Sequence, residues 1–262
     1  MHSGMGYETI YSSEIESSKK NAYFKDDNIM YVLFYMLQEY IKGDESFYKP
    51  YLDILPKDLS HFPIFWKDEY ISYLHNTDIP RLIKERLERF LHDFNLAKNT
   101  SEIFNKHCTK DLFLWLRCII GSRNFGLNIG GINRSVMAPL GDMLNHSNDH
   151  DVKWGFDNTD GVYFMDSIKG ISKNSEIFDS YGLKQNTQYL LYYGFTLPYD
   201  NMPLYTRSET HNLEINYNTD EELSVEKLKI IQPKTIIKIS KNNSNNILMN
   251  QIMPYIRPCV AD

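Results

Sequence analysis

Two short stretches hold the side chains best suited to chemistry. The first, "APLGDMLNHSNDH" (138–150), turns abruptly from apolar to polar at Asn145-His146. His146 and His150 stand four apart with Asp142, Asp149 and Asp151 nearby, a spacing that on a helix could share a metal ion. The run "NHSNDHD" is instead rich in Asn, Ser and Asp, which favour turns. It also lacks the Glu that a zinc hydrolase carries between two such histidines. No metal site is expected, and taken alone the stretch reads as a strand running into an Asx-rich turn. The second stretch, "SEIFDSYGLKQNTQYLLYYGF" (175–195), holds two Tyr-Gly pairs, Tyr181-Gly182 and Tyr193-Gly194. A strand ending in Tyr-Gly aims a phenol at a turn where glycine admits a close neighbour.

The elements that must position these groups differ between the two halves of the chain. "DDNIMYVLFYMLQEYIKG" predicts a helix with Asp26 or Asp27 as N-cap and Gly43 as stop. Its apolar stripe is Ile29, Val32, Leu33, Met36, Leu37 and Tyr40. Pro50, Pro56 and Pro63 break the next segment into short turns. "TDIPRLIKERLERFLHDF" restarts a helix, with Asp78 as cap, Pro80 in the first turn and Leu82, Leu87, Phe90, Leu91 and Phe94 on one face. "TKDLFLWLRCII" predicts a third helix, closed by Gly121. Beyond it, β-like runs ("RSVMAPL", "GVYFMDSI", "SEIFDSY") alternate with turns. "QNTQYLLYYG" predicts a last helix and "KTIIKIS" a strand.

Composition narrows the functional classes. A chain of 262 residues is long enough for one large domain or two modest ones. The net charge of -6 argues against an extended nucleic-acid footprint, so no direct nucleic-acid binding is expected. Cys108, Cys118 and Cys259 are too far apart for a metal pairing and read as reduced thiols of a cytoplasmic or nuclear protein. No apolar run reaches the roughly 18 residues of a membrane span.

Four motifs in order, "SRNF", "APLGDMLNHS", "EIFDSYG" and "NTQYLLYYGF", resemble the SET-domain protein methyltransferases, in particular the Rubisco large-subunit lysine methyltransferase branch. Upstream "FYKPYLDILP" and "PIFWKDEYISYL" are similar to that branch's helical insertion, so the resemblance covers about residues 25 to 205. It implies an α+β, β-rich SET fold with a knot-like C-terminal segment and a large helical insertion. The parts would be an N-terminal remnant (1–25), the insertion (26–120), the SET core (121–206) and the start of a C-terminal substrate-binding region (207–262). It further implies S-adenosylmethionine as cofactor and a protein substrate presenting a lysine. Asn145 and His146 would meet the adenine, Arg123 the cofactor carboxylate, and Phe195 would stack on adenine. Tyr181 would be the catalytic tyrosine that orients amine and methyl. Tyr193 would line the lysine channel and Phe125 would wall it. Trp154 either joins that channel or packs its indole in the core.

Alternatives stay open at this level. A histidine-methylating relative has Asn at the position of Phe125, where it can hydrogen-bond an imidazole, which Phe cannot do. A noncatalytic peptide-binding module is the rival from another class. Two departures from the family pattern bear on it. "KNSEIF" replaces the usual "GEE" run, with Asn174 able to take the left-handed turn conformation. "SGMG" is a poor match to the Gly-x-Gly segment beside the cofactor, so the N-terminal strands are expected to be missing and the adenine pocket partly open.

Overall fold

Helices occupy the first half of the chain and short strands the second, an α+β arrangement. The computed structural model describes residues 5–6, 28–75, 77–198, 211–216 and 234–239. In chain order the regular elements begin with β1 (Met5–Gly6), α1 (Asn28–Lys42), α2 (Lys49–Ile54), α3 (Asp68–Ser72), α4 (Ile79–Thr100), α5 (Glu102–His107) and α6 (Lys110–Arg123). Then come β2 (Asn124–Ile129), β3 (Ile132–Met137), β4 (Asn145–His146), β5 (Val152–Asp157), β6 (Val162–Ser167), β7 (Phe178–Asp179), α7 (Asn186–Tyr193), β8 (His211–Asn216) and β9 (Lys234–Ile239).

α1 is the helical core. Met30 to Phe34, Met36 and Leu37 are all buried, so the helix hides more than the single stripe its spacing predicts, whereas Tyr40 is exposed. It is packed by α2, α5, α6 and β3, which leaves little of its middle for solvent. Each such side chain taken out of water is worth about 1.5–3 kcal/mol. Gly43 ends it at φ +57, the left-handed stop expected. The Asp26 and Asp27 caps lie outside the described residues.

Two helix boundaries differ from the sequence reading. Asp78 makes no side-chain cap on α4; the Thr77 hydroxyl accepts the Ile79 N–H instead, at 3.3 Å. The buried face of α4 is Ile83, Arg86, Phe90, Asp93 and Ala97, two of them charged. Arg117 of α6 pairs with Asp93 at 3.3 Å, and the Arg86 and Arg117 guanidinium groups both lie over the Phe90 ring. Gly121 does not close α6. A Cβ there would meet Arg86 Nη2 at an ordinary 3.8 Å, and the turn around Gly121 keeps its helical form. It runs to Arg123, where the Asn124 side-chain amide donates to the Ile120 carbonyl at 2.7 Å. A guanidinium thus stands at the helix end.

β3 is central in a three-stranded antiparallel sheet of order β1-β3-β2, with Met5 opposite Met137 and Phe125 opposite Val136. Met5–Gly6, the second half of "SGMG", therefore supplies an edge strand. β5 and β6 form an antiparallel hairpin, and Phe125, Leu127, Val136 and Ala138 make a second core packed by Trp154, Phe156, Tyr163 and Met165. β4 and β7 pair in parallel, Asn145 with Phe178 and His146 with Asp179, although 31 residues separate the strands. The chain divides into two compact units, one of Met1–Gly182 with Asn186–Thr196, the other of Leu183–Gln185 with Leu197–Asp262. In the second, β8 pairs antiparallel with β9, the strand expected from "KTIIKIS". Among the described residues no helix is long and apolar enough to cross a membrane.

Candidate functional site

The parallel β4–β7 pair is where the two chemically rich stretches meet. The Tyr181 backbone N–H donates to His146 Nδ1 at 3.1 Å, and the Tyr181 hydroxyl donates to the Leu144 carbonyl at 2.7 Å. An acceptor Nδ1 assigns the proton of a neutral imidazole to Nε2. Each stretch therefore holds the other's key side chain by a directional bond. Burial raises the Tyr181 phenol pKa, so it stays protonated and remains a donor.

Around this crossing the rings form one cluster. His146 stacks on Tyr181 at 5.3 Å, Tyr181 on Tyr193 at 4.9 Å, and Tyr189 on Phe195 at 5.2 Å, with His146 against Tyr189 at 4.9 Å. α7 makes this possible by carrying Tyr189 and Tyr193 one turn apart, while Tyr189 donates to the Gly182 carbonyl at 2.7 Å. Burial pushes the Tyr193 phenol up to about 12. Gly194 then ends α7 at φ +79, its N–H shared by the Tyr189 and Leu190 carbonyls. A Cβ at Gly194 would lie 2.3 Å from His61 Cδ2, which is the close approach anticipated for a Tyr-Gly pair. Gly182 is also left-handed, at φ +85.

Arg123 belongs to a buried polar chain. Its Nη1 donates to the Asp142 carbonyl at 2.9 Å and lies 3.3 Å from Asp142 Oδ2, which also accepts the Tyr51 hydroxyl at 2.6 Å. The Asp142 side chain is fully buried. Burial raises its pKa, opposed by Tyr51 and Arg123. Asp142 Oδ1 and the Tyr163 hydroxyl are buried without hydrogen-bond partners among the described residues. Leu140, just upstream, takes φ +77, strained for a residue with a Cβ. Arg123 is partly exposed, and none of its contacts among the described residues engages Nε or Nη2.

Phe125 and Trp154 sit in the sheet's apolar cluster, edge to face at 4.9 Å. The Trp154 indole N–H donates to Asp179 Oδ1 at 3.0 Å, and Asp179 is opposite His146 in the ladder, so this cluster is tied to the crossing through one carboxylate. Burial raises the Asp179 pKa, opposed by the Ser180 N–H and by Trp154.

The structure thus brings His146, Tyr181, Tyr193 and Phe195 into ring contact. Arg123 stands beside them through Asp142, one residue from Leu144's neighbour Met143. Asn145 is exposed at the edge, its amide donating to Glu176 Oε1 at 2.7 Å. Tyr51, Asp179 and Tyr189 are contributors that the sequence does not single out, and Asp142, noted there only for its place near the histidines, acts instead through Tyr51 and Arg123. Asp142 carried a signal, being a single acid inside an apolar run; Asp179, beside Ser180 and near Glu176, and Tyr51, 91 residues from its partner, carried none. Among the described residues no group of three His, Cys, Asp or Glu could hold a metal ion.

No protein-family model matches the chain. It is 27% identical over 198 residues to "Protein-lysine N-methyltransferase EFM1" of Saccharomyces cerevisiae, covering 58% of this chain and 33% of that protein. It is 28% identical over 199 residues to "Ribosomal lysine N-methyltransferase set10" of Schizosaccharomyces pombe, covering 73% and 36%. The chain spans about a third of the length of these curated relatives. Among solved structures it superposes on the SET domain of LSMT bound to lysine and AdoHcy with a TM-score of 0.66 and 19% identity, over 97% of this chain and 58% of that one. Rubisco LSMT bound to AdoMet gives a TM-score of 0.64 at 19% identity, over 99% and 59%.

Proposed function

Because this chain has the SET-domain fold of Rubisco LSMT, we propose that it is an S-adenosylmethionine-dependent protein-lysine N-methyltransferase. The observation that carries the reading is the mutual hold of the two crossing stretches, Tyr181 N–H on His146 and Tyr181 hydroxyl on Leu144. That threading puts the Tyr181 phenol against the Asn-His motif.

The residues present fit the cofactor. Among the described residues Arg123 is anchored through Nη1, so its remaining N–H groups suit a carboxylate. Asn145 and His146 offer polar atoms, and Phe195 a ring face, for an adenine. When bound, S-adenosylmethionine supplies a methyl group on a positively charged sulfur. The chain's own residues then have two tasks. The Tyr181 hydroxyl donates its hydrogen bond to the Leu144 carbonyl, so toward any other neighbour its oxygen is an acceptor that can orient an amine N–H. The stacked Tyr181 and Tyr193 rings, packed by Tyr189 and Phe195, strip water from a lysine side chain. Desolvation disfavours the ammonium, whose ordinary pKa is about 10.4, and so favours the neutral nucleophile. Alignment and electrostatic preorganisation supply the acceleration.

Lysine is favoured over histidine because Phe125, buried against Trp154 and Tyr163, has no group that could hydrogen-bond an imidazole. The names of the relatives agree with that choice. The substrate is a lysine displayed by a protein. Cys108 and Cys118 are buried free thiols, which supports a reducing compartment, the cytoplasm or nucleus.

Calorimetric titration with S-adenosylhomocysteine tests the reading. Micromolar binding that is lost in Arg123→Ala, together with methyl transfer to free lysine that is lost in Tyr181→Phe, is the expected result. A folded chain that binds none of the ligand is instead a noncatalytic SET-like peptide-binding module.

A further inference from the structure

We infer that Glu176 is a positioning residue that sets the hydrogen-bonding polarity of Asn145, so that the site accepts an amino group of its ligand and rejects an oxo group there. The inference rests on the cofactor reading given above. Its basis is one contact and the chemistry of its partners. The Asn145 side-chain amide lies 2.7 Å from Glu176 Oε1. An asparagine amide has a donor end and an acceptor end of nearly equal shape, and its neighbours decide which way each points. An ionised carboxylate accepts only. It therefore holds the Asn145 NH2 toward itself and turns Oδ1, an acceptor, the other way.

Glu176 is itself held in register. Two residues on, the Phe178 N–H donates to Asp151 Oδ2 at 2.8 Å, and the Phe178 carbonyl accepts the Asp151 N–H at 2.8 Å. Lys169 bridges Asp149 and Asp151, at 2.9 Å and 3.1 Å, and so fixes the acid that fixes the strand. Upstream, the chain enters through Asn174 at φ +65, which turns it into the 175–179 segment. β4 and β7 then set Asn145 directly opposite Phe178. The backbone thus presents Glu176 beside Asn145 before any ligand arrives, and no rearrangement is needed to make the contact.

The cofactor carries two amino groups, the 6-amine of adenine and the α-amine of its amino-acid part. Either would suit an acceptor, and two analogues separate them. S-inosylhomocysteine replaces the 6-amine by an oxo group; the α-desamino analogue of S-adenosylhomocysteine removes the other. The decisive variant is Glu176→Gln. It keeps size and shape but can donate as well as accept, so Asn145 becomes free to turn over.

Affinities of the three compounds are measured by calorimetry for the 262-residue chain and for the Glu176→Gln variant of it. The expected result is that wild type prefers S-adenosylhomocysteine over one of the two analogues by about tenfold or more, and that Glu176→Gln brings that preference near unity while the other ratio is unchanged. The analogue affected names the amino group. Glu176→Ala behaves in the same direction, with the affinity for S-adenosylhomocysteine lowered toward that of the discriminated analogue. Preference ratios that are identical in wild type and Glu176→Gln for both analogues overturn the inference while leaving the cofactor reading intact. Failure of folded wild type to bind S-adenosylhomocysteine overturns the cofactor reading, and this inference with it.

Discussion

The Tyr51 hydroxyl donates to Asp142 Oδ2 at 2.6 Å, a bond that reaches from the helical block into the strand-rich half of the chain and braces the carboxylate that holds Arg123. A helix 91 residues upstream is thereby part of the site.

Tyr51→Phe removes the donor and leaves a buried carboxylate with Arg123 as its partner. Loss of one of the two hydrogen bonds to that buried carboxylate oxygen costs about 1–3 kcal/mol. Urea unfolding should show a loss of that size, and affinity for S-adenosylhomocysteine should fall with it as Arg123 loosens. An unchanged midpoint would mean the bond contributes nothing net.

Stability should depend on pH through Asp142 and Asp179. Burial raises both pKa values above the ordinary 3.8. A carboxylic acid with a raised folded-state pKa binds more protons when folded than when unfolded, so its contribution to stability falls as pH rises through that interval. The loss begins above pH 3.8 and is complete once both groups have ionised in the folded state. Urea midpoints measured across this range should therefore decline more for wild type than for Asp142→Asn or Asp179→Asn. Equal slopes would remove these acids from the account.

Gly194→Ala should be worse than Gly130→Ala. Both glycines are left-handed, at φ +79 and +60, and share a backbone penalty of about 1–2 kcal/mol. At Gly130 a Cβ meets nothing within 4 Å, whereas at Gly194 it strikes His61 at 2.3 Å. Overpacking adds about 1–3 kcal/mol more. The difference between the two variants in thermal unfolding isolates the His61 contact.

Tyr181→Phe should separate turnover from binding. The ring stacks on His146 and Tyr193 remain, so S-adenosylhomocysteine affinity should change by no more than about threefold, less than 1 kcal/mol. Loss of the hydroxyl should lower kcat for methyl transfer to lysine by about 100-fold, the usual effect of deleting one preorganised hydrogen bond. Equal losses in kcat and in ligand affinity would assign the phenol to binding.

Much of the molecule follows from local chemistry. Periodic apolar residues mark α1, α4, α6 and α7, and Gly43 and Gly194 stop helices because a left-handed residue is cheap for glycine alone. Asn174 takes the turn conformation expected of it, at φ +65. The order of the four motifs pointed to the SET fold and to Tyr181, His146 and Arg123 together. Gly121 misled, because a glycine inside a helix costs only about 1 kcal/mol and packing on α1 and α4 outweighs that.

What the sequence determined by itself is the set of elements and the residues chemically equipped for a site, since both depend on neighbours within a few positions. Tertiary structure alone decided which groups brace them. Burial of Arg86 and Asp93 on the apolar face of α4 is settled by Arg117 and Phe90, which arrive from other turns and another helix. Tyr51 on Asp142, Trp154 on Asp179 and Glu176 on Asn145 are each a match between one donor and one acceptor far apart in the chain. Polar partners of that kind leave no periodicity to read, because only folding brings them within hydrogen-bond distance; for the Asp142 and Asp179 carboxylates burial then makes the match obligatory.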